Sequence, residues 1–138
     1  SRGKVDRVDM ANGVLRVIDY KTGNVEQNQL GIIAWEDLTN DYNKYAKPFQ
    51  VLMYASMLLE NNPGHEKVEA GVVSFKNLKN AFLKFQKKDS PRDKAKNSNI
   101  EEDTITNFKV ELKKLIQEIC DPEIPFLEKE IKSGYGNY

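Results

Sequence analysis

The chain has 138 residues, and its 21 lysines and arginines balance 21 aspartates and glutamates, so the formal net charge at pH 7 is zero. This length is suited to one domain with a single core, and the balanced charge excludes binding to nucleic acid through overall basicity, leaving only a local groove. A single cysteine, Cys120, excludes an internal disulfide and a metal site built from cysteines alone, which fits a cytoplasmic protein.

The first predicted element is a β-hairpin that turns at Asn12 and Gly13. Asn-Gly between two runs rich in valine, isoleucine and leucine is the strongest short signal for a two-residue hairpin turn. Without a bulge, such a turn fixes these opposed pairs on the two strands: Ala11 with Val14, Met10 with Leu15, Asp9 with Arg16, Val8 with Val17 and Asp6 with Asp19. The last pair is unusual, because carboxylates directly opposite each other on neighbouring strands repel.

Alternation along the second strand adds Lys21 to the face that carries Asp6 and Asp19, while Asp9 and Arg16 are expected to pair on the other face. Two carboxylates that repel each other favour a hard divalent cation such as Mg²⁺. An ammonium beside them can hold or deprotonate a water and offset charge on a phosphate. The pattern therefore predicts a metal-dependent site that cleaves phosphodiesters. The alternative is a solvated pair of acids that Lys21 neutralises, and a bulge that shifted the register by one residue would separate the two acids.

Residues 24–46 form a polar connection in which we expect a short helix around residues 35–40. Trp35 is expected to pack on the hairpin, and Tyr42 and Tyr45 to be buried or packed at an edge.

The next predicted element is a helix that begins near Pro48 and ends by Asn61, before Asn-Pro-Gly. It is apolar almost all round, which indicates burial on a sheet. Gln50 and Tyr54 are four residues apart and so share one face of this helix. Polar side chains that are buried require hydrogen-bond partners, so the pair is interpreted either as satisfied core polar groups or as part of the acidic site.

The second half of the chain predicts a strand at residues 68–75, an edge strand at 81–87 and an amphipathic helix at 100–120. Lysines crowd residues 76–96. Either residues 89–99 form a solvated, flexible loop, or part of this lysine-rich stretch follows a DNA backbone.

Three motifs carry a resemblance to a known family. Gly3-x-x-Asp6, then Val-Ile-Asp-Tyr-Lys-Thr-Gly at residues 17–23, then Gln50-x-x-x-Tyr54 follow one another in the order found in the PD-(D/E)XK nuclease superfamily. The first half of the chain most resembles the RecB/AddB-like exonuclease domains. The resemblance implies an α/β fold with a mixed central sheet, flanking helices and a restriction-endonuclease-like core. It also implies an Mg²⁺- or Mn²⁺-dependent deoxyribonuclease that acts on DNA beside a helicase domain or subunit, in DNA repair and recombination.

Carried over by position, the resemblance implies these catalytic residues: Asp6, Asp19, Lys21, Gln50 and Tyr54. Asp6, Asp19 and the main-chain carbonyl of Tyr20 would bind the metal. Lys21 would orient or activate the attacking water. Gln50 and Tyr54 would line the site and help to hold the strand end or the nucleic acid.

In this family a helix that bears a histidine or glutamate usually precedes the first strand. We therefore expect residues 1–138 to be a nuclease-core fragment without that helix, weakly active or inactive alone, whose last part, residues 121–138, is a tail. The alternatives are a catalytically inactive nuclease fold that binds DNA or a partner protein, and a purely structural accessory domain. No stretch approaches the roughly 20 apolar residues of a transmembrane helix, so we expect no membrane partner.

Overall fold

The computed structural model describes residues 7–64, 67–76, 79, 81–94 and 97–120. The strands in these ranges are β1 (Arg7–Ala11), β2 (Val14–Lys21), β3 (Gly31–Ile32), β4 (Val68–Ser74), β5 (Phe82–Lys84) and β6 (Gln86–Lys87). The helices are a 3₁₀ helix (Gln27–Leu30), α1 (Asp37–Asn40), α2 (Ala46–Asn61) and α3 (Glu102–Ile119). Asp6 and the predicted tail, residues 121–138, lie outside the described residues.

The main sheet has four strands in the order β1-β2-β4-β5. β1 and β2 are antiparallel, β2 and β4 are parallel, and β4 and β5 are antiparallel. The parallel pair requires a crossover, and α2 lies within that crossover and packs on β2 and β4. A mixed central sheet with flanking helices confirms the predicted α/β class.

The hairpin has the predicted register. Asn12 and Gly13 both have positive φ, 52° and 79°, as a two-residue turn between twisted strands requires. Every predicted pair that falls within the described residues is present. On the outer face, Arg16 donates two hydrogen bonds of 2.7 Å to the carboxylate of Asp9, and this guanidinium lowers the pKa of Asp9.

Helix α2 includes the predicted range and begins two residues earlier, with Pro48 in its first turn. Phe49, Val51 and Leu52 are buried in the core, but Met57 is 55% exposed. The prediction of burial almost all round is therefore too broad, because α2 rests on one face of the sheet and part of its surface reaches solvent.

The connection after the hairpin contains more regular structure than predicted. The short helix at residues 35–40 is present as α1, and the connection adds the 3₁₀ helix and β3. Its core side chains are Val25, Leu30, Ile32 and Leu38, all buried. Trp35 stacks on Phe85, with ring centroids 6.3 Å apart, so its aromatic partner is not a hairpin residue.

The predicted edge strand at residues 81–87 is divided between two sheets. β5 pairs with β4 at the edge of the main sheet, and β6 forms a parallel pair with β3. Phe85, between them, is fully buried, and its backbone N–H donates to the carbonyl of Ala70 at 2.7 Å. The chain thus passes from one sheet to the other at a residue whose side chain belongs to the hydrophobic core.

Helix α3 is amphipathic as predicted, with Phe108 and Leu115 buried against the core. The ring of Phe108 meets that of Phe49 edge to face, with centroids 5.3 Å apart. Ile116 belongs to the predicted apolar stripe but is 50% exposed. None of the helices in the described part of the chain is long and apolar enough to cross a membrane.

Glu111 is a buried carboxylate on α3 that the apolar pattern does not reveal. It is 2% exposed, and its two oxygens accept hydrogen bonds from Thr39 Oγ1 at 2.9 Å and from Lys114 Nζ at 3.0 Å. The bond to Glu111 raises the pKa of Lys114. The carboxylate is tolerated inside because both oxygens are satisfied, and it joins α3 to α1.

Candidate active site

Strand β2 carries the predicted acid and amine at its carboxyl end. Alternation places Val17, Asp19 and Lys21 on the face that α2 covers. In the parallel ladder, Asp19 is beside Val72 of β4 and Lys21 is beside Ser74. Asp19 is consequently only 3% exposed, with an apolar neighbour on the adjacent strand.

The charge of Asp19 is compensated by Lys21. The Nζ atom of Lys21 lies 2.9 Å from Oδ2 of Asp19, and the lysine side chain is 28% exposed. A buried carboxylate is tolerated when a cation is held against it. Since Lys21 is partly exposed, its ammonium connects the buried acid to the solvent side of the site.

Two side chains of α2 complete a chain of contacts. Lys21 Nζ donates to Oε1 of Gln50 at 2.8 Å, and Nε2 of Gln50 donates to the hydroxyl of Tyr54 at 3.1 Å. A lysine has no acceptor, so the amide oxygen of Gln50 must be the atom that faces it. This orientation leaves the amide nitrogen for Tyr54. The glutamine therefore fixes the ammonium on one side and the phenol on the other.

Of the predicted catalytic residues, the structure brings together Asp19, Lys21, Gln50 and Tyr54, while Asp6 lies outside the described residues. Their catalytic roles stay predictions. The side chain of Tyr20 lies on the opposite face, where its ring stacks on that of Phe75 with centroids 5.3 Å apart. The prediction that the main-chain carbonyl of Tyr20 binds a metal ion does not involve this side chain and stays a prediction.

Ser74 is a residue of the site region that sequence reasoning missed. It is fully buried at the end of β4, and its hydroxyl donates to the carbonyl of Gly23 at 2.5 Å. The next backbone N–H, that of Phe75, donates to the carbonyl of Lys21 at 2.9 Å. These bonds fix the turn after β2 and so the position of Lys21. The sequence feature that could have identified Ser74 is its hydroxyl within an otherwise apolar run, between Val73 and Phe75.

The donor chemistry of Asp19 fits a hard divalent cation. Mg²⁺ commonly takes one or two protein carboxylates and keeps several waters, and a buried carboxylate at a strand end can serve as one such ligand. Within the described ranges, no group of three or more histidine, cysteine, aspartate or glutamate side chains could hold a metal ion. Asp6, which the family resemblance assigns as the second acidic ligand, lies outside the described residues.

A family model for the PD-(D/E)XK nuclease superfamily matches residues 2–130. No curated protein and no solved structure gives a significant match. Members of this superfamily hydrolyse phosphodiester bonds and generally use divalent metal ions, and the mixed sheet with flanking helices is consistent with their restriction-endonuclease-like fold. Since the match extends over nearly the whole chain, including both the Asp-x-Lys strand and the Gln-x-x-x-Tyr helix, the chain belongs to the PD-(D/E)XK nuclease superfamily.

Proposed function

We propose that this protein is a metal-dependent deoxyribonuclease with its catalytic centre at Asp19 and Lys21. We further propose that it is the exonuclease part of a RecB/AddB-like helicase-nuclease that acts in DNA repair and recombination in the cytoplasm. The observation that carries the proposal is the contact between Lys21 and Gln50, 29 residues apart in sequence, because it joins the two family motifs at one point.

The arrangement around Lys21 suits a reacting phosphate better than a simple structural ion pair. A structural pair needs only the acid and the amine. Here Gln50 holds the ammonium as well, and Tyr54 holds Gln50. The contacts with Asp19 and Gln50 account for at most two of the three N–H groups of the lysine. The third can donate to a water or to a phosphate oxygen.

Asp19, Asp6 and the main-chain carbonyl of Tyr20 would hold Mg²⁺ or Mn²⁺. When bound, such an ion polarises the phosphate and lowers the pKa of a coordinated water. Lys21 positions the attacking water and offsets the negative charge that grows on the phosphate. The water oxygen bonds to phosphorus as the bond to the 3′ oxygen breaks. The attacking water releases a proton to solvent, and the departing 3′ oxygen takes up a proton and leaves as a hydroxyl. Gln50 and Tyr54 keep the ammonium aimed at the phosphate.

The test is cleavage of linear DNA in Mg²⁺ or Mn²⁺ by the 138-residue chain and by the longer parent protein that we propose contains it. We expect Lys21→Ala and Asp19→Asn each to reduce cleavage by the parent by about 100-fold or more, as loss of one transition-state donor does in other enzymes. Lys113→Ala, on the exposed side of α3, is the control and should cleave normally.

Unchanged cleavage by folded Lys21→Ala protein would overturn the assignment of the centre. DNA binding without cleavage by the parent protein at any metal concentration would favour the inactive nuclease fold instead. We expect the isolated chain to be weakly active or inactive, so brisk cleavage by it would contradict the fragment hypothesis while leaving the chemistry intact.

A further inference from the structure

A groove lined by many amide and lysine side chains lies at the start of α2, the helix that also carries Gln50. It has a volume of about 800 Å³ and is lined by thirteen residues from the 3₁₀ helix, β3, the start of α2 and the segment from β6 to Pro91. Five lining residues carry side-chain amides, three are lysines and none is acidic. In a chain whose charges cancel overall, this local excess of positive charge would attract a polyanion.

The lysines of the groove are Lys44, Lys47 and Lys88. Among the residues that the structure describes, none of the three has a carboxylate within 4.0 Å. Other lysines of the described residues do have such partners, namely Lys21, Lys84, Lys87, Lys109 and Lys114. The ammonium of Lys44 lies 5.3 Å from the ring centroid of Tyr45, a contact that leaves its charge uncompensated. The groove is thus lined by lysines that form no ion pair within the described part of the chain.

The three lysines come from two different segments that line the groove. Lys44 precedes α2 and Lys47 lies in its first turn, whereas Lys88 follows β6. The backbone N–H of Lys88 donates to the carbonyl of Ile32 at 3.0 Å, which ties that segment to β3. A ligand that contacts the lysines of both segments must therefore lie in the groove that these segments line.

The groove and the candidate active site share helix α2, because Lys47 lines the groove and Gln50 belongs to the site. Lys47 precedes Gln50 by three residues, so the two lie on one side of the helix, about 5 Å apart along its axis. Gln50 in turn holds Lys21 at 2.8 Å. One lysine of the groove therefore lies within one helical turn of the glutamine that holds Lys21.

We propose that this groove binds the sugar-phosphate backbone of a single DNA strand and leads it to Asp19 and Lys21, an inference that rests on the proposed nuclease function. Lysines neutralise phosphates, and amides bond to phosphate and sugar without reading sequence. A cleft of this volume is in the range of small-molecule sites, so we assign it a single strand rather than a duplex. Lys88 is thus the lysine of the region 76–96 that contacts the bound DNA strand.

The test compares two triple variants that lose the same charge. The groove variant is Lys44→Gln/Lys47→Gln/Lys88→Gln, and the control is Lys67→Gln/Lys109→Gln/Lys113→Gln, whose lysines are exposed elsewhere. Binding of a fluorescent single strand of about 16 nucleotides is measured by anisotropy in EDTA at several salt concentrations. Urea unfolding first shows that both variants are folded.

Each lysine–phosphate contact contributes about 0.7 to the slope of log K against log salt for single strands. We expect the groove variant to lose about 2 from this slope and at least tenfold in low-salt affinity, and the control to bind like the unmodified protein. Equal binding by the two variants would overturn the proposal. A duplex that competes as well as the single strand would overturn the assignment to one strand.

The failure of this proposal is separable from that of the nuclease function, because binding in EDTA requires no cleavage. An inactive Lys21→Ala protein together with normal binding by the groove variant would overturn the groove alone. Normal cleavage by Lys21→Ala together with weak binding by the groove variant would overturn the catalytic assignment and leave the groove standing.

Discussion

Replacing Lys21 with methionine should destabilise the protein measurably in the absence of metal. Asp19 is 3% exposed, and the ammonium of Lys21 lies 2.9 Å from its Oδ2 atom. Breaking a buried ion pair typically costs about 3–5 kcal/mol. Because the lysine side chain is 28% exposed, water already weakens the pair, and we expect a loss of about 2 kcal/mol.

The assay is urea unfolding in EDTA at pH 7, in which midpoint and slope together give the free energy of unfolding. A double-mutant cycle with Asp19→Asn isolates the pair, since asparagine keeps the shape of the acid without its charge. We expect the double variant to lose less than the sum of the single losses, by about 1–2 kcal/mol. A strictly additive cycle, or a Lys21→Met protein as stable as the unmodified one, would refute the electrostatic account of the site.

Two further changes test the sheet that carries the site. Gly71→Ala should lower the free energy of unfolding by about 2–3 kcal/mol, because the added Cβ would lie 2.2 Å from the main-chain oxygen of Leu83. Gly31→Ala is the control and should be nearly neutral in thermal unfolding, because the nearest atom to its Cβ would be 3.7 Å away. Equal losses of stability in the two variants would contradict the close approach of β4 and β5. Arg16 lowers the pKa of Asp9, so the pair stabilises the folded state fully above about pH 4 and progressively less as pH falls through the folded pKa. In urea unfolding at a series of pH values, Asp9→Asn should therefore lower the free energy of unfolding by about 1 kcal/mol at pH 7 and by little at the acidic end. A loss of stability that did not vary with pH would contradict the role of the Asp9–Arg16 pair.

The local elements follow from short-range rules. Asn12 and Gly13 favour the positive φ angles of a two-residue turn, and the turn then sets every pair along β1 and β2. Because side chains alternate, that register also places Asp19 and Lys21 on one face. The family resemblance implies that Gln50 lines the site, but no local rule links residues of β2 to residues of α2, and the contact of Lys21 with Gln50 was not predicted.

Long-range packing determined the rest. Periodicity indicates which side of an element is apolar, but it does not say which other element covers that side. Phe85 is buried where the chain leaves one sheet for another, and Glu111 is buried because Thr39 and Lys114 satisfy it. Both outcomes depend on contacts between distant parts of the chain.

The charged groove has the same origin. Lys44 and Lys88 are far apart in sequence, and the first belongs to a segment with no conspicuous excess of charge. They line one groove because β3 pairs with β6 and α2 begins beside them. Composition could report only that the charges cancel overall, because the local field depends on where the folded backbone places each ammonium and carboxylate.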